Sequence, residues 1–245
     1  MATRNLDLIP RVEDVREARP VALPVQFSLE EIKQHFDDSL NGIKGQYLVA
    51  DLLIQNGNEV GGKTIWRSQV VLAEGLLDFY IHEMSKFCLF RMFSGQWEKT
   101  EKYGSFQVPM SKVEAAIAAS ESQDWFFNYL NDRFSRDVFL GVESMRDQLN
   151  LIGIGFVPVM VKAFPMQKEE ESKKYGTQVV KDLFQRRNDI AHQNDRSHAS
   201  AEQTDITKVF VEDYIEKIEK IVSAIQGIAV QKDSPVRDAA QQTSG

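Results

Sequence analysis

Residues 205–230 read DITKVFVEDYIEKIEKIVSAIQGIAV, and their spacing decides the fold class. Ile206, Phe210, Tyr214, Ile218, Ile221, Val222, Ile225 and Ile228 recur every three or four positions, which lines them up as one stripe of a helix. Glu212, Glu216, Lys217, Glu219 and Lys220 are left for the other side and suit solvent. A stripe of this length is built to pack against other helices.

Working outward, the rest of the chain supplies them. A polar loop, QNDRSHASAEQ (193–203), precedes the stripe, and the spacing upstream of it predicts a helix over 177–192. The segment KEEESKKYG (168–176) reads as a charged, solvated link. Shorter helices are expected over 111–120, 123–135, 138–150 and 154–164, with Pro158 marking a first turn or kink of the last. Residues 94–110, with Gly95, Gly104 and Pro109, read as a loop. The most apolar helix is expected over 66–93, where apolar residues cover most of the circumference and imply neighbours on several sides. NGNEVGGK (56–63) reads as the glycine-rich stop of an earlier helix. That first helix opens on SLEE (28–31), a Ser-x-x-Glu capping box in which Ser28 and Glu31 satisfy each other's backbone amides.

The ends read differently. Residues 1–26 hold three of the seven prolines, Pro10, Pro20 and Pro24, and few large apolar groups, so they read as an extended arm. Residues 232–245 have too little apolar content to fold and read as a disordered tail. No convincing alternating strand pattern and no repeat occurs. The architecture expected is an all-α bundle, one domain over 27–231.

Composition narrows the function. With 42% hydrophobic residues, 15 Phe and 3 Trp, the chain can bury a substantial core. A formal net charge of -7 provides no broad basic field, so contact with nucleic acid must run through a local patch. The single cysteine, Cys88, lies in FCLFRMF, which excludes an intramolecular disulfide, points to a core thiol and fits a reducing compartment. No stretch reaches the roughly 18 apolar residues of a membrane span, so a soluble, cytoplasmic protein with no membrane partner is expected.

One piece of helix is chemically overloaded. Residues 186–192, RRNDIAH, place two guanidiniums, an amide, a carboxylate and an imidazole in under two turns. Arg holds and neutralises phosphate through its planar fork, and His moves a proton near neutral pH. Together they suit RNA cleavage in which the substrate's own 2′-hydroxyl attacks the adjacent phosphorus, with no metal or other cofactor required. His192 would act as general base or acid, Arg187 would stabilise charge on the phosphate, and Asn188 would orient the imidazole or donate to phosphate. DNA, lacking the nucleophile, would be inert. Geometry adds a condition. At about 100° per residue Asn188 and His192 share a face, whereas Arg187 and His192 differ by roughly 140°. Either Arg187 wraps round, or the helix is distorted, or a second copy of the chain completes the site across a symmetric interface.

The segment RRNDIAHQND, with Arg187 and His192 in an RxxxxH arrangement and Asn188 directly after the arginine, resembles the motif of HEPN ribonucleases. The likeness is closest to the RiboL-PSP-HEPN branch. LLDFYIHEMSKFCLFRMF (76–93), with Asp78 and Glu83 as polar positions, is similar to that branch's early helix, and ITKVFVEDYIEKIEKIVSAI (206–225) to its closing one. The resemblance implies an all-helical domain, a homodimer with a composite cleft, and metal-independent endoribonuclease activity on RNA, often as a toxin or antiviral defence effector restrained by an antitoxin or other partner protein. It carries over to Arg187, Asn188 and His192. Toxins regulated by tyrosine modification have Tyr two places after the His, where this chain has Asn194. Some HEPN proteins are non-catalytic, and the alternative function is a dimerisation or interaction module of a defence complex.

Other polar residues are weighed beside these. Lys181, Arg186 and Arg187 follow one another along the motif helix and offer the local phosphate patch that the acidic total requires, and Glu83 is expected to border the RNA cleft. Asp78, His82 and Glu83 raise a metal site, against a hydrogen-bonded or interface pair as the plainer reading on so apolar a helix. Asp195 and His198 belong to the polar loop, where the choice is between substrate contact and simple solvation. His35 sits on an amphipathic helix with no partner in view.

Overall fold

The computed structural model describes residues 25–118, 124–197 and 199–243. The expected arm up to residue 24 and His198 lie outside them. The described residues form α1 (Leu29–Gln55), α2 (Glu59–Phe93), α3 (Glu101–Gly104), α4 (Met110–Ala118), α5 (Asp124–Phe134), α6 (Val142–Leu151), α7 (Phe156–Ala163), α8 (Glu169–Gln193) and α9 (Lys208–Thr243). Among them there is no strand, only a single antiparallel bridge between Arg196 and Gln203. The fold is an all-α bundle, as the sequence predicts.

The capping box forms as the sequence predicts: Ser28 N donates to Glu31 Oε2 at 2.7 Å and Glu31 N to Ser28 Oγ at 3.2 Å. α1 then folds back on α2, the central helix, which also touches α5, α8 and α9. Its Val70, Ala73, Leu77, Tyr80, Ile81, Met84, Cys88 and Leu89 are buried, so the expectation of neighbours on several sides holds. Cys88 is a fully buried thiol, and burial pushes its pKa well above the ordinary value.

The glycines at 61 and 62 do not stop a helix; they lie inside the first turn of α2. Asn58 caps that turn by accepting from Gly61 N at 2.9 Å. A Cβ on Gly62 would lie 2.4 Å from Ile54 Cγ1 and 2.9 Å from Ala50 O, so this glycine lets α1 and α2 approach closely at their hairpin.

The segment read as a charged link is the first half of α8. Glu169, Glu170 and Glu171 occupy the first turn, where negative charge opposes the helix dipole. Its inward positions are small: Ser172 is buried and accepts from Met166 N, and a Cβ on Gly176 would meet Met160 Sδ at 2.6 Å. Small residues give no hydrophobic signal, which is why the pattern reads as solvated. α7 packs against α8 and α9, and Pro158 stands in its first turn, where a missing N–H is no loss.

α9 starts three residues later than expected, because Thr207 Oγ1 caps it by accepting from Phe210 N. Its buried stripe runs through Val211, Tyr214, Ile215, Ile218, Ile221, Val222, Ile225 and Ala229. Ile206 is buried ahead of the helix, whereas Phe210 stays exposed over the Arg186 guanidinium. The tail expected to be disordered from 232 continues α9 as far as Thr243. Long-range bonds secure its start: Lys232 Nζ donates to Gly153 O, and buried Asp233 accepts from Trp97 Nε1 at 3.0 Å. Among the described residues no helix is long and apolar enough to cross a membrane.

Candidate active site on the motif helix

α8 is an uninterrupted helix through Gln193, so distortion does not bring Arg187 and His192 together. The 3.6-residue repeat sets Lys181, Asn188 and His192 on one face. His192 and Lys181 are exposed there, and neither side chain bonds to a described residue. Arg187, half-buried, turns its Nη1 toward that face and donates to Asn188 Oδ1 at 3.0 Å. Its Nε is buried and has no hydrogen-bond partner among the described residues. Of the three geometries open to the sequence, the side chain takes part of the first: it reaches Asn188, and Asn188 is left with its amide nitrogen to donate.

Arg186, its neighbour, points elsewhere. Both its terminal nitrogens bond Asp195, one at 2.8 Å, and the same carboxylate accepts from Arg67 Nε at 2.8 Å. Arg67 Nη2 also donates to Thr204 O at 2.7 Å. Asp195 is therefore neither solvated nor facing a substrate; it is buried, 2% exposed, and holds the loop after α8 onto α2. Asn194 and Asp195 both adopt the left-handed backbone, with φ of 50° and 60°, and Asp195 N donates to Asp189 O while Asp195 O accepts from Thr204 N. These bonds offset the cost of two consecutive left-handed residues. Lys181, Arg186 and Arg187 thus do not form one patch: Arg186 serves the loop, and only Lys181 and Arg187 border the Asn188 and His192 face.

Two residues lie beneath the motif: Tyr214, which the sequence places in a packing stripe, and Glu74, to which the sequence pattern assigns no role. Glu74 is 1% exposed, and burial raises its pKa to about 7 against the attraction of Arg187. Tyr214 Oη lies 3.0 Å from Glu74 Oε2 and 2.8 Å from Leu183 O. The sequence signal for Glu74 is a lone carboxylate inside VVLAEGLL (70–77).

The remaining candidates stand apart. Glu83 pairs with Lys86 at 2.7 Å, and Lys86 donates onward to Asn131 of α5. Asp78 accepts from Phe139 N at 2.8 Å in the segment ahead of α6, and burial raises its pKa. His82 Nε2 donates to Asp137 O at 3.1 Å and sits 3.7 Å from Asp78 Oδ1, too far for a hydrogen bond between the two side chains. Among the described residues no group of three or more His, Cys, Asp or Glu is placed to share a metal ion. His35 meets the Phe27 ring edge-on at 4.7 Å, a packing contact at the start of α1.

The RiboL-PSP-HEPN family model matches residues 29–231. The chain belongs to the RiboL-PSP-HEPN family. The match takes in α1 to α8 and α9 up to residue 231, so it extends the likeness seen at the motif, over 76–93 and over 206–225 back to the start of α1. HEPN domains commonly bind RNA and dimerise, and they are often ribonucleases. No curated protein and no solved structure matches this HEPN chain significantly.

Proposed function

We infer that this HEPN protein is an endoribonuclease that cleaves RNA without a metal, in a cleft completed by a second copy of the chain. The observation that supports it most is Arg187: a half-buried guanidinium five residues before an exposed histidine, with a buried Nε that bonds none of the described residues. Buried polar groups are nearly always satisfied, and an exception calls for an explanation such as a ligand.

In this reading the 2′-oxygen of the RNA attacks the neighbouring phosphorus and the bond to the 5′-oxygen breaks, leaving a 2′,3′-cyclic phosphate and a 5′-hydroxyl. An imidazole from His192 takes the 2′-hydroxyl proton, or in its protonated form gives one to the departing oxygen. The Arg187 fork neutralises the non-bridging oxygens as charge grows on them, and the Asn188 amide nitrogen donates beside it. Lys181, on the same face, holds a flanking phosphate. Arg186 is engaged by Asp195 and Glu83 by Lys86, so neither is assigned a phosphate. The angle between Arg187 and His192 is met by pairing Arg187 of one copy with His192 of the other. The enzyme is further read as a toxin or antiviral effector restrained by a partner protein.

A non-catalytic interaction module is the second reading, favoured by Leu72 and Phe79, large apolar side chains about half exposed on α2. Purified protein incubated with total RNA and a chelator decides between them. Cleavage is expected to persist with chelator and to vanish in Arg187→Ala and His192→Ala. If neither substitution changes cleavage, or growth arrest on expression, while the fold is intact, the module reading stands.

A further inference from the structure

We propose that Glu74 is a positioning residue: it holds a proton under the motif helix and, through Tyr214, sets the turn that presents Arg187. Its effect on catalysis rests on the ribonuclease reading; the proton itself does not. Tyr214 Oη makes two short contacts, 3.0 Å to Glu74 Oε2 and 2.8 Å to Leu183 O, and a hydroxyl carries one hydrogen. The Leu183 carbonyl only accepts. For both contacts to be hydrogen bonds, Tyr214 donates to Leu183 O and the hydrogen between Tyr214 and Glu74 comes from a protonated carboxyl. Glu74 is 1% and Tyr214 3% exposed, so an unmade bond there is costly. The end of the chain matters as well. In α8, Leu183 O is the acceptor four residues before Arg187, so the buried chain stops on the oxygen that receives the Arg187 backbone amide.

Burial favours the same state against two of the neighbours. Tyr214 of α9 bonds Glu74, Arg187 of α8 attracts its charge, and Asp78, on its own α2, repels it; among the described residues α1 and α5 bring it no charged neighbour. Burial outweighs both the Tyr214 bond and Arg187, each of which favours the carboxylate, and the carboxyl keeps its proton up to a pH of about 7. Below that pH the chain Glu74 to Tyr214 to Leu183 is complete and Arg187 is free for phosphate. Above it the proton leaves to solvent, Tyr214 turns to donate to the carboxylate, Leu183 loses its second bond, and the carboxylate competes with RNA for Arg187.

The test uses the full chain and NMR titration of glutamate carboxyls and of the Arg187 amide. One carboxyl is expected to titrate near neutral pH and to be missing in Glu74→Gln. The Arg187 amide shift should follow the same midpoint in wild type and ignore it in Glu74→Gln. In Tyr214→Phe the carboxyl should still titrate while the Arg187 amide stays still. With RNA, the wild-type KM should rise about tenfold from pH 6 to pH 8, and Glu74→Gln should keep the low KM at both. A set of glutamates that all titrate in the ordinary carboxyl range, or an Arg187 amide indifferent to the neutral midpoint, overturns the proposal. A wild type that cleaves no RNA overturns the ribonuclease reading instead, and the two NMR readouts then decide the proton and the turn.

Discussion

Arg186 and Arg187 are adjacent in sequence and opposite in circumstance. Arg186 is tied through two nitrogens to a buried carboxylate that also holds Arg67, and its guanidinium lies 5.4 Å from the Phe210 ring. Among the described residues Arg187 has one side-chain bond, to Asn188, and a buried nitrogen with no partner. One step of about 100° along the helix separates a cation that builds the fold from one held in reserve. The difference teaches that a charged motif divides its residues between scaffold and site, and that the unsatisfied member is the one to examine for function.

The comparison makes predictions that descend in size. Asp195→Ala strands two nearly buried guanidiniums, and the chain should lose about 3–5 kcal/mol in denaturant unfolding; a loss below about 1 kcal/mol, the scale of an exposed pair, would put Arg186 on the same footing as Arg187. Arg187→Ala should do the reverse, lowering RNA cleavage about a hundredfold or more with little change in unfolding. A cleavage loss that merely tracks stability would erase the distinction.

Next in size is a pH effect beneath Arg187. Burial raises the Glu74 pKa from 4.5 to about 7 in the folded chain. The stability conferred by the held proton is therefore full below the unfolded pKa and is lost as pH rises through 4.5 toward about 7. Melting temperature should fall across that window in wild type, and Glu74→Gln should lack this component; parallel curves would mean that Glu74 ionises as an ordinary carboxylate. Smallest is Lys181→Ala, which should reduce the salt slope of RNA binding by about one and leave stability alone. An unchanged slope would remove Lys181 from the RNA face.

Much of this was legible in the residues, for reasons that can be named. SLEE marks the start of α1 because its bonds are local, and the stripe in α9 is legible because large apolar residues carry the period. Gly62 misleads because a close helix approach and a helix stop use the same residue. Ser172 and Gly176 hide half of α8, since small inward residues leave a charged helix looking solvated. Asp233 secures the extension of α9 through a partner 136 positions away, Trp97, which no window of sequence contains. At the site, RRNDIAH advertises its chemistry by composition. It cannot show that Asp195 captures Arg186, because that depends on two left-handed residues and on Arg67 from a distant helix. Glu74 was missed for a related reason: its role comes from Tyr214 and Leu183, and its own neighbours in sequence are apolar.

The claim that matters most is that Arg187 of one copy works with His192 of another. Arg187→Ala and His192→Ala proteins, each inactive alone, can be mixed under conditions that let subunits exchange. The account predicts that the mixture regains about a quarter of wild-type RNA cleavage, since half of the dimers are then mixed and each carries one intact Arg187–His192 pair of two. A mixture that exchanges subunits and remains as inactive as its parents would contradict it.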